Sequence, residues 1–103
     1  IKDGEKLEDS FWTGEQPRAC FGTGDQGVYM LIIEGRYPDE GIRGTSVNTC
    51  SDILLSYGCR NALNMDGGSS AILWYDGEYV TQCSSSFLRY TGGRPLPNAW
   101  VYG

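Results

Sequence analysis

The segment Asn61-Ala-Leu-Asn-Met-Asp-Gly-Gly-Ser-Ser-Ala-Ile-Leu-Trp-Tyr75 constrains the fold most, because it joins two apolar runs through an acid, two glycines and two hydroxyls. This pattern predicts strand, sharp turn and strand, with Asp66 presented at the turn. A strand end that delivers a carboxylate, followed by glycines whose N–H groups can converge, suits acid/base chemistry and the holding of an anion. The same residues also suit a plain tight hairpin in which Asp66 caps its own turn. Local sequence leaves both readings open.

The rest of the chain is punctuated in the same way. Fifteen glycines, seven tyrosines and three tryptophans in 103 residues point to a turn-rich, sheet-containing fold with few helices. After Gly24-Asp-Gln-Gly27, the run Val28 to Ile33 is rich in β-formers and reads as a central strand buried on both faces. The loop from Glu34 to Gly44 carries a proline and several glycines, which stop either regular period. Thr45 or Ser46 can then cap a helix through Tyr57, with Val47, Cys50, Ile53, Leu54 and Tyr57 on one stripe and Gly58 as the stop.

Arg60 to Met65, Ala71 to Tyr75, Glu78 to Thr81 and Ala99 to Tyr102 complete the strands, with Asp76-Gly77 as a two-residue hairpin turn. Residues 1–16 are a weakly patterned lead-in in which Phe11 and Trp12 read as anchors. The expected fold is therefore α+β and a single domain: a mixed β-sheet packed by one main helix, with a C-terminal β-hairpin and return strand.

Charge and composition exclude several functions. A net charge of −5 without a run of Lys or Arg argues against a nucleic-acid partner. The apolar runs fall far short of the roughly 20 residues that cross a bilayer, so no transmembrane segment is expected. With no histidine and no CxxC spacing among Cys20, Cys50, Cys59 and Cys83, no metal site and no cofactor are expected. The spacing of Cys50 and Cys59 around the helix favours small buried hydrophobes over staples, and disulfide pairing stays open. The absence of histidine also removes a Ser-His or Cys-His hydrolase, although Gly67-Gly-Ser-Ser-Ala71 resembles a degraded nucleophile elbow.

Proton transfer near neutral pH then falls to carboxylates, cysteine, tyrosine or lysine. Asp66 is the best-placed acid, Glu34 ends the central strand, and Asp76 belongs to a hairpin turn. Arg18, Arg36 and Arg94 each lie beside a proline or glycine in a loop, where a guanidinium can fork around a carboxylate or phosphate. A surface salt bridge worth little is the alternative for each.

Four motifs, in order, carry a resemblance: Pro17-Arg-Ala-Cys-Phe-Gly22, Ile32-Ile-Glu-Gly-Arg36, Gly58-Cys-Arg-Asn-Ala-Leu-Asn-Met-Asp-Gly-Gly-Ser-Ser70 and Gly93-Arg-Pro-Leu-Pro-Asn-Ala99. Together they resemble the phosphodiester glycosidase family, whose pattern runs approximately PRTAxG, VVDGR, a helix, GAxxAxNLDGGGSS and ERPVxNA. Departures from it are Ser69 at the third glycine, Glu34 in place of Asp, Asn48 and Thr49 in place of an acidic pair, and Gly93 in place of Glu. The family domain is longer, so the resemblance implies its C-terminal portion, completed by an N-terminal segment or by another copy.

The resemblance implies hydrolysis of a sugar-1-phosphodiester in a secreted or cell-envelope setting. Asp66 would be the nucleophile or the base, with Asn64 orienting it or the sugar and Glu34 as a further catalytic acid. Arg18, Arg36 and Arg94 would hold phosphate, together with Gly67, Gly68, Ser69 and Ser70. The alternatives are a non-catalytic glycan-binding module, with Trp12, Tyr37, Trp74 or Tyr90 stacking on sugars, and a structural fragment of such a domain.

Overall fold

A computed structural model describes residues 1–7, 13–85, 93–96 and 99–101. Three strands, β1 (Arg18–Gly24), β2 (Gly27–Ile33) and β3 (Cys59–Asn64), form a sheet in the order β2-β1-β3. Both pairings are antiparallel. The α+β expectation holds, with one helix, α1 (Val47–Ser56), on the sheet and a short hairpin of β4 (Trp74–Tyr75) and β5 (Glu78–Tyr79). No parallel pairing occurs among the described residues, so the sheet is not mixed there. Phe11, Trp12 and Tyr90 lie outside the described residues.

The central strand is β1, where sequence patterning placed β2. Two glycines explain why β1 is hard to read and why it is central. A Cβ at Gly22 would stand 2.7 Å from the Cys59 sulfur, and one at Gly24 would stand 2.3 Å from the Gly58 carbonyl oxygen. Both positions need a bare backbone for β3 to close against β1. The β2 strand lies at the edge, and its continuous apolar run serves two surfaces. Tyr29, Leu31 and Ile33 pack toward the helix, while Val28, Met30 and Ile32 line a wide cavity on the opposite face.

Local chemistry sets the helix. Ser46 has extended backbone angles, and its Oγ accepts the N–H of Thr49 at 3.2 Å. Cys50 and Leu54, one turn apart, are the buried stripe, and with Cys20 and Cys59 they form the core between helix and sheet. Gly58 takes φ +92 just past the last turn, a conformation that suits glycine. Tyr57 leaves the expected stripe: it is exposed, and its carbonyl accepts the Tyr29 hydroxyl at 2.9 Å.

The first residues of the lead-in are tied to the sheet, which their composition did not imply. The Ala62 N–H donates to the Ile1 carbonyl, and the Gly4 N–H to the Arg60 carbonyl, so residues 1–5 run beside the outer edge of β3. Asp76 (φ +52) and Gly77 (φ +84) make the hairpin turn as expected. Residues 71–73 precede the strand, and Leu73 extends the pairing by one residue: its carbonyl accepts the Val80 N–H at 2.8 Å and its N–H donates to Thr81 Oγ1. Residues 99–101 form no return strand: Trp100 instead stacks on Phe21, with ring centroids 4.4 Å apart.

Candidate active site

The chain leaves β3 at Asn64 and turns sharply through Gly67 and Gly68 into a short 3-10 turn, Gly68–Ser70. Two hydrogen bonds lay this turn along the start of β1: the Met65 N–H donates to the Ala19 carbonyl at 2.7 Å, and the Gly68 N–H to the Pro17 carbonyl at 3.0 Å. Gly67 must be glycine, since its Cβ would stand 2.6 Å from the Pro17 oxygen. Gly68 takes φ +57 and lies under the Arg36 guanidinium, whose nearest nitrogen would be 3.1 Å from an added Cβ.

This turn presents Asp66 to solvent and buries Ser70. Arg94 joins the two. Its Nη2 sits 3.2 Å from Asp66 Oδ2, its Nε donates to Ser70 Oγ at 3.0 Å, and Nη2 also donates to Ser70 Oγ. Asp66, Ser70 and Arg94 line one wall of a cavity of about 970 Å³ whose remaining surface is mostly apolar, including Phe21, Met30, Ile32, Trp74 and Trp100. A carboxylate, a guanidinium and a hydroxyl thus meet on the wall of a hollow large enough for a small organic ligand.

The other named residues serve different places. Arg18 is buried, and its guanidinium donates to the carbonyls of Thr45 (2.9 Å) and Gly14 (2.7 Å), tying the start of β1 to the loops before α1. Asn64 pairs across from Cys20 and lines a small cleft against α1, so it does not share the cavity with Asp66. Glu34 accepts the Gln82 N–H at 2.6 Å and fastens that loop to the end of β2. Arg36 (φ +66) donates from Nε and Nη2 to Gln16 Oε1 and from Nη1 to Ser84 Oγ.

The expected N–H cradle is partly spent, because Gly68 donates to Pro17 and the Ser70 N–H to the Gly67 carbonyl. Ser69 contributes its carbonyl to the Cys83 thiol rather than to the cavity wall. Sequence reasoning did not name Gln16, which positions Arg36, or Met30 and Ile32 as cavity wall. Their signal was the alternation within β2, hidden because the intervening residues are apolar too.

The role of Arg18 gives a direct expectation. Arg18→Lys should lower stability by about 2 kcal/mol, because an ammonium cannot serve both carbonyls in the fork geometry and a buried cation is left short of an acceptor. Urea unfolding measures this, and a midpoint equal to wild type would contradict the assignment.

Among the described residues no three or more Asp, Glu, Cys or His side chains group as metal ligands, and no helix is long and apolar enough to cross a membrane. The sequence profile of the phosphodiester glycosidase family matches residues 1–102. The chain belongs to that family. The phosphodiester glycosidase match spans the glycine turn, Arg94 and every strand of the sheet. Neither a curated protein nor a solved structure matches the chain.

Proposed function

We propose that this phosphodiester glycosidase cleaves a sugar-1-phosphodiester at the Asp66–Ser70–Arg94 wall. The observation that carries the reading is the single guanidinium shared by an exposed carboxylate and a buried hydroxyl on the cavity wall. Arg94 already spends Nε and Nη2 on these two groups, and Nη1 has no partner among the described residues. A phosphate oxygen would take Nη1 in a charge-assisted bond.

The chemistry needs few groups. A phosphate monoester has a second pKa of about 6, so it departs as an anion without a strong general acid. An ordinary glycosidase uses two carboxylates, one to protonate a poor leaving oxygen and one to trap or stabilise the oxocarbenium-like centre. Here Asp66 serves the second task, attacking the anomeric carbon or taking a proton from the water that does. The bond between the anomeric carbon and the phosphate oxygen breaks, its electrons leave with the phosphate, and water supplies the new hydroxyl of the sugar. Arg94 and the Ser70 hydroxyl steady the departing charge. Arg18 and Arg36 act as positioning residues, one on β1 and one over Gly68, and the substrate is a glycan or smaller sugar phosphodiester.

Arg94→Ala should raise KM for a chromogenic sugar-1-phosphodiester by roughly 10- to 100-fold, with Arg94→Lys between it and wild type because a point charge replaces the fork. Steady-state kinetics measures this. Equal KM in all three proteins would remove Arg94 from the phosphate site.

A second reading keeps the site for binding alone. Trp74 is 60 % exposed and lines the same cavity, a geometry suited to stacking on a sugar ring. Calorimetric binding without any turnover of the same compound would favour it.

A further inference from the structure

The core between helix and sheet holds a second chemical feature, which the proposed reaction does not use. Cys20 points from the central strand toward α1, and Cys50 points back from the buried stripe of the helix. Both are free thiols, 4 % and 1 % exposed, packed in one core cluster, and the Cys20 thiol donates to Asn64 Oδ1 at 3.7 Å. They also line one cleft of about 50 Å³, together with Val47, Ser51, Leu54 and Asn64. Neither of the other two cysteines lines that cleft. Cys59 belongs to the same core but sits beside Gly22 of the neighbouring strand, and Cys83 donates to the Ser69 carbonyl beneath the glycine turn.

We infer that Cys20 and Cys50 are a disulfide site, closed by exchange with a small-molecule disulfide and clamping α1 onto the central strand. Two thiols that face each other from strand and helix across one small cleft need little backbone movement to join. The pair is also asymmetric in the way exchange requires. The neighbouring Cys20 thiol and the Arg18 charge favour ionisation of Cys50, whereas the neighbouring Cys50 sulfur and burial push the Cys20 thiol up. Burial alone pushes the Cys59 thiol up, which leaves it the poorer attacker.

The step balances with the external disulfide as oxidant. The Cys50 thiolate attacks one sulfur of RSSR and expels RS⁻, giving a mixed disulfide. The Cys20 sulfur then attacks the Cys50 sulfur and expels the second RS⁻. The two protons from the protein thiols end on two RSH. The closed loop runs through β2 and the loops to α1, so the bond restrains a long stretch of unfolded chain.

The test equilibrates the full chain with mixtures of reduced and oxidised glutathione, quenches in acid, alkylates under denaturing conditions and maps the peptides by mass. At the oxidised end a Cys20–Cys50 linked peptide should accumulate while Cys59 and Cys83 are alkylated. The folded-to-unfolded ratio in urea should rise on the order of a hundredfold over the reduced protein. Cys50→Ala should lose that difference, and the wild-type peptide map decides the question even if this variant folds poorly. The inference is overturned if Cys20 and Cys50 stay alkylatable at every glutathione ratio, or if the linked peptide contains Cys59 or Cys83 instead.

Discussion

Replacing Asp66 by Asn should lower kcat for a sugar-1-phosphodiester by about 1,000-fold, the middle of the range for loss of a positioned base and well within that for loss of a nucleophile. The fold should survive. The Asp66 side chain is 74 % exposed, and its partner among the described residues is Arg94, itself half exposed, so the pair contributes at most about 1 kcal/mol. An amide is nearly isosteric with the carboxylate and can still meet Arg94 through its oxygen, yet it neither attacks carbon nor accepts a proton from water. Kinetics paired with urea unfolding separates the two effects. An active Asp66→Asn protein with normal stability would remove Asp66 from the chemistry.

The second large effect is structural. Gly67→Ala should destabilise the chain by roughly 3 kcal/mol, combining overpacking with a lost hydrogen bond. The new methyl group would stand 2.6 Å from the Pro17 carbonyl oxygen, a backbone atom at the head of the central strand. That oxygen also accepts the Gly68 N–H, so relief of the clash opens the bond that holds the turn on the sheet. Asp66 and Ser70 flank that turn, and both lose their register with Arg94. Turnover should therefore fall with stability. Thermal unfolding with activity measured below the transition checks this, and a variant as stable as wild type would show that the turn has room to move.

Features fixed by neighbouring residues could be read from sequence. Ser46 caps α1 through the Thr49 N–H, Gly58 ends it at φ +92, and Asp76-Gly77 turns the hairpin, each through contacts a few residues long. The glycine turn after Asp66 was legible for the same reason. Features fixed by distant approach were not. Gly22 and Gly24 look like breakers locally, and only the closeness of Cys59 and Gly58 shows why a central strand needs them.

The site divides along the same line. Arg94 meets Asp66 across 28 positions of sequence, a contact that the order of motifs hints at and only folding makes. Arg18 follows the alternation of β1: it shares the helix-facing side with Cys20, while Ala19 and Phe21 face the cavity. Once β1 is seen as a strand, the Arg18 guanidinium must look for partners on the helix side, and it finds the Thr45 carbonyl just before α1. Asn64, paired with Cys20, is carried to that side too. The short, glycine-rich composition of β1 concealed this alternation.

The most direct test of the account runs hydrolysis of a sugar-1-phosphodiester in ¹⁸O-labelled water and locates the label in the products. Attack at the anomeric carbon, guided by Asp66 with the phosphate held on Arg94, predicts ¹⁸O in the sugar hydroxyl and none in the released phosphate monoester. Label in the phosphate would mean that the phosphorus–oxygen bond is the one broken, and the assignment of Asp66 and Arg94 to glycosidic cleavage would fail.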